Sequence, residues 1–195
     1  MSNTQADDRT LIERFKNGDE DAFDQLVRKY SNRAYSIAYG ILANREDAEE
    51  VAQDVFIRIH RALPFFRGDS EFTTWMYRIA TNLAKNKYRW NKTRGSKVTD
   101  SLNAPIEGTG GDDALYRDAL DESLSPDEAL QFKELERRTT EELQNLPDMY
   151  REILVLRNIR EMSYEDIAQM LSCKLGTVKS RIARAREELR KRLEL

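Results

Sequence analysis

Two clusters of cations, interleaved with aromatic or hydroxyl side chains, are the residues of this chain best placed to bind something charged. Residues 73–97 hold 7 basic side chains and no acidic one, with Trp75, Tyr77, Tyr88 and Trp90 among them. Residues 174–195 hold 8 basic side chains against 3 acidic. Cationic surface next to aromatic rings suits a sugar-phosphate backbone and its bases. Covalent chemistry has much weaker support. One Cys (Cys173) and one His (His60) in 195 residues exclude a disulfide and a Cys/His zinc site. The Gly108-Thr109-Gly110-Gly111 run lacks the Lys-Ser/Thr of a phosphate loop. With 35 Asp and Glu, no carboxylate pair is informative, and no nucleophile-base pair stands out. No catalytic residue, no metal and no cofactor is expected.

Helical spacing resolves the clusters into faces. From Glu71 to Trp90, Phe72, Ile79, Leu83 and Trp90 share one side, predicted to be buried. Roughly 90° away run Trp75, Arg78, Asn82, Lys85, Asn86 and Arg89, a stripe without an acid, with Tyr77 beside it. Such a stripe can track a backbone while aromatic rings and Asn82 address unpaired bases; Trp75 could equally be core. The loop Pro64-Phe65-Phe66-Arg67-Gly68-Asp69-Ser70 puts two adjacent aromatic rings just before it. They either form a pocket for one flipped base, centred on Phe66, or plug the base of the bundle. On the last helix, Val178, Ile182, Ala185 and Leu189 make a packing side. Thr177, Ser180 and Arg184, flanked by Lys179 and Arg181, lie opposite and suit a major groove.

A third face has a different chemistry. Between Arg45 and Leu63, Ala48, Val51, Ala52, Val55, Ile59 and Ala62 form a core side, leaving Glu49, Glu50, Gln53, Asp54, Ile57 and His60 outward. An Ile among acids and an amide reads as a protein-docking surface. His60 reads as an ordinary surface residue.

Positioning these faces requires an all-α chain of two small helical domains. Predicted helices cover 9–17, stopped by Gly18; 20–43; 45–63, capped by Asn44 and ended by Pro64; and a fourth capped by Ser70 and running to about Trp90. Residues 1–92 form the first domain. Residues 93–124 read as a flexible linker, since residues 98–128 carry 9 acids and 1 base among Gly, Ser and Pro. The 28 residues 98–125 would reach roughly 95 Å fully extended. The second domain, 125–195, opens on Ser125-Pro126-Asp127-Glu128. It continues with helices to about Leu146 and from Pro147 to Asn158, then one capped by Ser163 with Asp166 at the capping-box position. After a turn around Cys173–Gly176, the last helix runs from Thr177 to Leu193. Short helix, tight turn and longer basic helix make a helix-turn-helix. The polar amino terminus and the short apolar stretches predict a cytoplasmic protein with no membrane insertion.

Taken in order, these residues resemble the extracytoplasmic-function group of bacterial RNA polymerase sigma factors. The resemblance rests on Gly18-Asp19, Ala22-Phe23 and Tyr30; on 47–56, Asp-Ala-Glu-Glu-Val-Ala-Gln-Asp-Val-Phe; and on Phe66-Arg67-Gly68, Phe72, Thr74-Trp75, Tyr77-Arg78-Ile79-Ala80 and Asn82. In the second half it rests on Leu146-Pro147, Tyr164-Glu165-Asp166-Ile167-Ala168 and the run Gly176 to Ala185. It implies that the 47–56 face binds the β′ clamp helices of a polymerase core of β′ and β subunits. The 64–90 loop and helix would open the −10 element of promoter DNA, and the last helix would read the −35 element. It further implies a stress or envelope-response regulon and an anti-sigma factor that can hold the chain inactive at the inner membrane. The competing expectation is a stand-alone helix-turn-helix regulator.

Overall fold

The computed structural model describes residues 7–95, 126–160 and 162–194, and every regular element within them is helical. Four α-helices form the amino-terminal unit: α1 (Asp8–Lys16), α2 (Glu20–Leu42), α3 (Arg45–Ala62) and α4 (Phe72–Gly95), with a 3-10 turn at Leu63–Phe65. Four more form the second: α5 (Pro126–Gln144), α6 (Asp148–Arg160), α7 (Tyr164–Met170) and α8 (Leu175–Leu193). The greater part of the predicted linker, 96–124, lies outside the described residues.

The predicted breaks have local causes. Gly18 takes φ +93°, a left-handed conformation that costs glycine little, and turns the chain from α1 into α2. The Asn44 side chain accepts from the Asp47 N–H at 2.9 Å, and the Ser163 hydroxyl accepts from the Asp166 N–H at 3.0 Å; both predicted caps form. The Ser163 hydroxyl also donates to the Asp166 carboxylate at 2.6 Å, a bond between the two side chains and not the reach back to the cap's backbone N–H that defines a capping box. Ser70 is not a cap: α4 begins at Phe72, which places Glu71 at the boundary, and the Trp75 N–H bonds the Glu71 carbonyl. Helix α4 also runs through Gly95, beyond the predicted end at Trp90.

Helix α2 is the hub of the molecule. Ala22, Leu26, Tyr30, Ala34, Ile37, Ala38 and Ile41 are buried along it, and α1, α3, α4 and α6 all pack against it. Ala34 and Ala38 on α2, with Ala80 and Ala84 on α4, keep side chains small where these two long helices approach. Its carboxyl end is tied to the second unit. The buried Arg151 guanidinium lies 2.8 Å from the Gln144 carbonyl and 3.0 Å from that of Leu146. The same group is 3.1 Å from the Tyr88 hydroxyl and 3.5 Å from the Ile41 carbonyl. Neither α2 nor α5 has a basic residue in its last turn, so Arg151 supplies one cation to the negative ends of both.

At the start of the chain, the Tyr30 hydroxyl donates to the Asp8 carboxylate, which Lys29 meets at 2.7 Å. Burial and the adjacent Asp8 hold the Tyr30 hydroxyl well above its ordinary 10.0. The folded chain therefore keeps a proton that the unfolded chain releases near pH 10, so this contribution is full below pH 10 and declines as pH rises beyond it. Tyr30→Phe should cost about 1–2 kcal/mol at neutral pH and flatten that alkaline decline. Urea melts from pH 7 to 11 test this, and an unchanged alkaline slope would place the titration elsewhere.

Candidate nucleic-acid interface

On α3 the periodicity resolves as the sequence predicts. Ala48, Val51, Val55, Phe56 and Ile59 are buried, while Glu49, Glu50, Gln53, Asp54 and Ile57 are exposed, Ile57 by 49%. This face is braced from α4. Lys87 lies 2.6 Å from Glu50 and 3.2 Å from Asp47, and Asn91 donates to Asp47 at 2.7 Å. The hydrogen bond to Glu50 holds the Lys87 ammonium above its usual range, so it stays charged throughout neutral pH. His60, on the adjacent surface, reaches Glu20 at 3.2 Å and meets Phe15 and Phe23 edge-on.

The loop before α4 separates its two phenylalanines. The Phe66 N–H bonds the Leu63 carbonyl, Lys16 donates to the Phe66 carbonyl at 2.6 Å, and Gly68 takes φ +77° to reverse the chain. The Phe66 ring then lies 4.8 Å from Trp75 and 6.3 Å from Phe72, a three-ring cluster roofing the amino end of α4. Phe65 points the other way and is 82% exposed. The dipeptide is thus divided, with Phe66 packed as the plug reading expects and Phe65 left in solvent.

Along α4, Arg78, Asn82, Asn86 and Arg89 are exposed in a row, and Trp75 is half-buried in the aromatic cluster. Tyr77 and Trp90 depart from the predicted wheel. Tyr77 is only 5% exposed, part of the core with Met76, Ala80 and Ala84, and does not share the exposed face. Trp90, placed on the buried side by periodicity, is 50% exposed because α4 outlasts the bundle. Its ring carries Arg94 at 4.1 Å and Lys87 at 5.3 Å instead. Lys85 is half-buried and bonds both oxygens of Glu152 on α6, at 3.0 and 2.9 Å.

The second unit presents a helix-turn-helix. Helix α7 ends at Met170, and Ser172, at φ +51°, makes the turn. Helix α8 starts two residues earlier than predicted, so Gly176 lies in its first turn, not in the preceding turn. Val178, Ile182 and Ala185 are buried, Leu189 is half-buried, and Lys179, Ser180 and Arg184 are exposed, with Thr177 and Arg181 half-buried. Farther along, Arg190 and Arg192 pair with Glu187 and Glu188, which leaves the cations before Glu187 as the free-standing positive end.

Sequence reasoning named Phe65 only together with Phe66, and it missed Arg151 and Glu152. A doubled Phe in a short loop carries a signal for the first, since one loop rarely buries two neighbouring rings. The other two act across the chain, on Tyr88 and Lys85, and have no local signature.

Residues 26–94 match the family described as Sigma-70 region 2, and residues 136–189 match Sigma-70, region 4. Over 98% of its length the chain is 41% identical to RNA polymerase sigma-H factor of Pseudomonas aeruginosa, covering 96% of that protein. Over 95% it is 38% identical to the ECF RNA polymerase sigma-E factor of Escherichia coli K12, covering 93%. Its fold is similar to CnrH in complex with the cytosolic domain of CnrY, with a TM-score of 0.67 at 25% identity, over 96% of this chain and 97% of that one. A second similar structure is the sigma factor RpoE in complex with the anti-sigma factor NepR from Bartonella quintana. Its TM-score is 0.61 at 26% identity, over 89% of this chain and 97% of that one.

The split of the two phenylalanines separates stability from exposure. Phe66→Ala should cost about 1–3 kcal/mol by opening the aromatic cluster, whereas Phe65→Ala should stay within about 0.5 kcal/mol. Chemical denaturation of both variants checks this; equal losses would mean that Phe65 is packed in solution.

Proposed function

The chain belongs to the extracytoplasmic-function sigma factors of bacterial RNA polymerase, and from that premise we propose how its three faces divide the work. Glu49, Glu50, Gln53, Asp54 and Ile57 dock on core polymerase at its β′ subunit. Phe66, Trp75, Arg78, Asn82, Lys85 and Arg89 hold the opened −10 element. Tyr77, buried beneath this face, supports the helix without touching DNA. Thr177, Lys179, Ser180, Arg181 and Arg184 read the −35 element from the major groove. The observation that carries this reading is the coexistence of two separate cationic surfaces with one exposed acidic-amide-Ile face. A stand-alone regulator is disfavoured, because it leaves the α3 face unused and the family match spans both units.

Opening requires no chemical step from the protein. Aromatic and amide groups that accept extruded bases lower the free energy of the unpaired strand, while backbone cations neutralise its phosphates. The role is therefore binding and positioning, not catalysis. We assign the chain to the cytoplasm and to a stress or envelope-response regulon, with an anti-sigma factor as its restraint. Among the described residues no helix is long and apolar enough to cross a membrane.

Purified core polymerase with this chain should initiate at specific promoters in vitro, and initiation indistinguishable from core alone would overturn the reading. Gln53→Lys with Ile57→Lys should weaken assembly with core while the free chain stays folded, since both side chains are exposed. Native gel shift and a thermal melt measure the two effects. Arg184→Ala should lose about 1–3 kcal/mol of discrimination at the −35 element if it forks onto a base. A uniform loss across all sequences would make it a phosphate contact.

A further inference from the structure

The core-docking face assigned to α3 is short of apolar surface. Among Glu49, Glu50, Gln53, Asp54 and Ile57 only Ile57 is hydrophobic, and Glu50 and Ile57 lie about 10 Å apart along the helix at 1.5 Å per residue. A stable interface buries about 800 Å² on each partner and draws most of its energy from a few aromatic or Arg anchors near its centre. A strip of acids with one Ile offers neither, so the footprint has to continue onto a neighbouring element.

Helix α4 supplies the continuation. Its last turns outlast the bundle and are fastened to the start of α3: Lys87 Nζ lies 2.6 Å from Glu50 and 3.2 Å from Asp47, and Asn91 donates to Asp47 at 2.7 Å. The same ammonium stands 5.3 Å from the centre of the Trp90 ring, so one cation bridges the indole and the Glu50 carboxylate. Arg94 stacks on the ring at 4.1 Å, and Trp90 remains half exposed. Trp90 also sits about 100° around the helix from Arg89, which turns it out of the line of Arg78, Asn82 and Arg89 and toward α3.

We propose that Trp90, with Arg94 stacked on it, is the aromatic anchor of the core-docking surface, which runs from Ile57 along α3 and crosses Lys87 onto the end of α4. The proposal rests on the α3 assignment given above and names residues outside it. The polymerase surface that fits carries cations opposite Glu50 and Asp54. Beside them it has an apolar recess rimmed by a carboxylate, which receives the indole and pairs with Arg94. Lys87 and Arg94 already hold the ring in the free chain, so little rotamer freedom is left to lose when the recess closes on it.

Trp90→Ala in the full-length chain is the first test. Its thermal melt should match wild type, because the residue lies beyond the bundle, while its affinity for core polymerase should fall about tenfold or more. Trp90→Phe should recover part of that loss, and Arg94→Ala should lose about threefold. Hydroxyl-radical footprinting read by mass spectrometry needs no substitution: Trp90 should be protected from oxidation in the complex with core, without DNA. At saturating core, Trp90→Ala should bind a single-stranded −10 oligonucleotide as wild type does. Unchanged core affinity in Trp90→Ala, with Trp90 still oxidised in the complex, overturns the anchor. Loss of oligonucleotide binding alone also overturns it and makes Trp90 a DNA contact. If Gln53→Lys with Ile57→Lys weakens assembly and Trp90→Ala does not, the α3 face stands without its extension. If neither change affects assembly, the α3 assignment fails and the anchor with it.

Discussion

A single guanidinium sets the relation between the halves of this molecule. Arg151 is 2% exposed, and a charge that deeply placed is tolerated only when its donors are met. They are met by the carboxyl ends of two helices that carry no cation of their own, α5 in its own unit and α2 in the other. Gln144 repeats the connection by donating to the Gly40 carbonyl at 3.3 Å. The seam is thus built around helix-end carbonyls, an ion pair and a tyrosine hydroxyl as well as apolar contact. Polar groups of this kind can be met again by water when the units part, whereas a wholly apolar interface would resist separation.

Helix α4 carries the consequences, because three surfaces are wound on one cylinder. Phe72, Met76, Ala80 and Ala84 belong to the core; Arg78, Asn82 and Arg89 look outward; Lys85 and Tyr88 turn to α6. Bracing from α3 fixes the helix's rotation through the Lys87 contacts with Glu50 and Asp47. Exposed ion pairs contribute little stability singly, but Lys87 is mostly covered and joins two acids at once, which favours orientation over raw energy. The same lysine links the outward face of α3 to the α4 stripe, so a change at Glu50 acts on α4 directly.

The helices and their breaks were legible because local chemistry dictates them: Asn44 and Ser163 have their caps in the sequence, and Gly18 its turn. The outward faces of α3 and α8 were legible for a related reason, since their apolar periodicity is unbroken. What failed was the judgement of where the core ends. A helical wheel assigns Trp90 and Leu83 to one side but cannot know that the bundle stops before Trp90, nor that Tyr77 turns inward beside Tyr30. Ser70 and Gly176 were misplaced by a residue or two, the usual scale of error where a cap signal is weak. Glu152 lay beyond reach altogether, since its partner is 67 residues away and one acid among 35 carries no mark.

Charge distribution ties these observations together. The chain is nearly neutral overall, at −3, yet the lysines of α4 are met by acids drawn from elsewhere: Lys87 by α3 and Lys85 by α6. The first pairing is internal to one unit and persists whatever the units do. The second exists only while they touch. Parting of the units would leave Lys85 without that carboxylate, with no residue of α4 altered. Attraction to a polyanion depends on the number of uncompensated cations, and at the seam that number is set for α4 by a single ion pair.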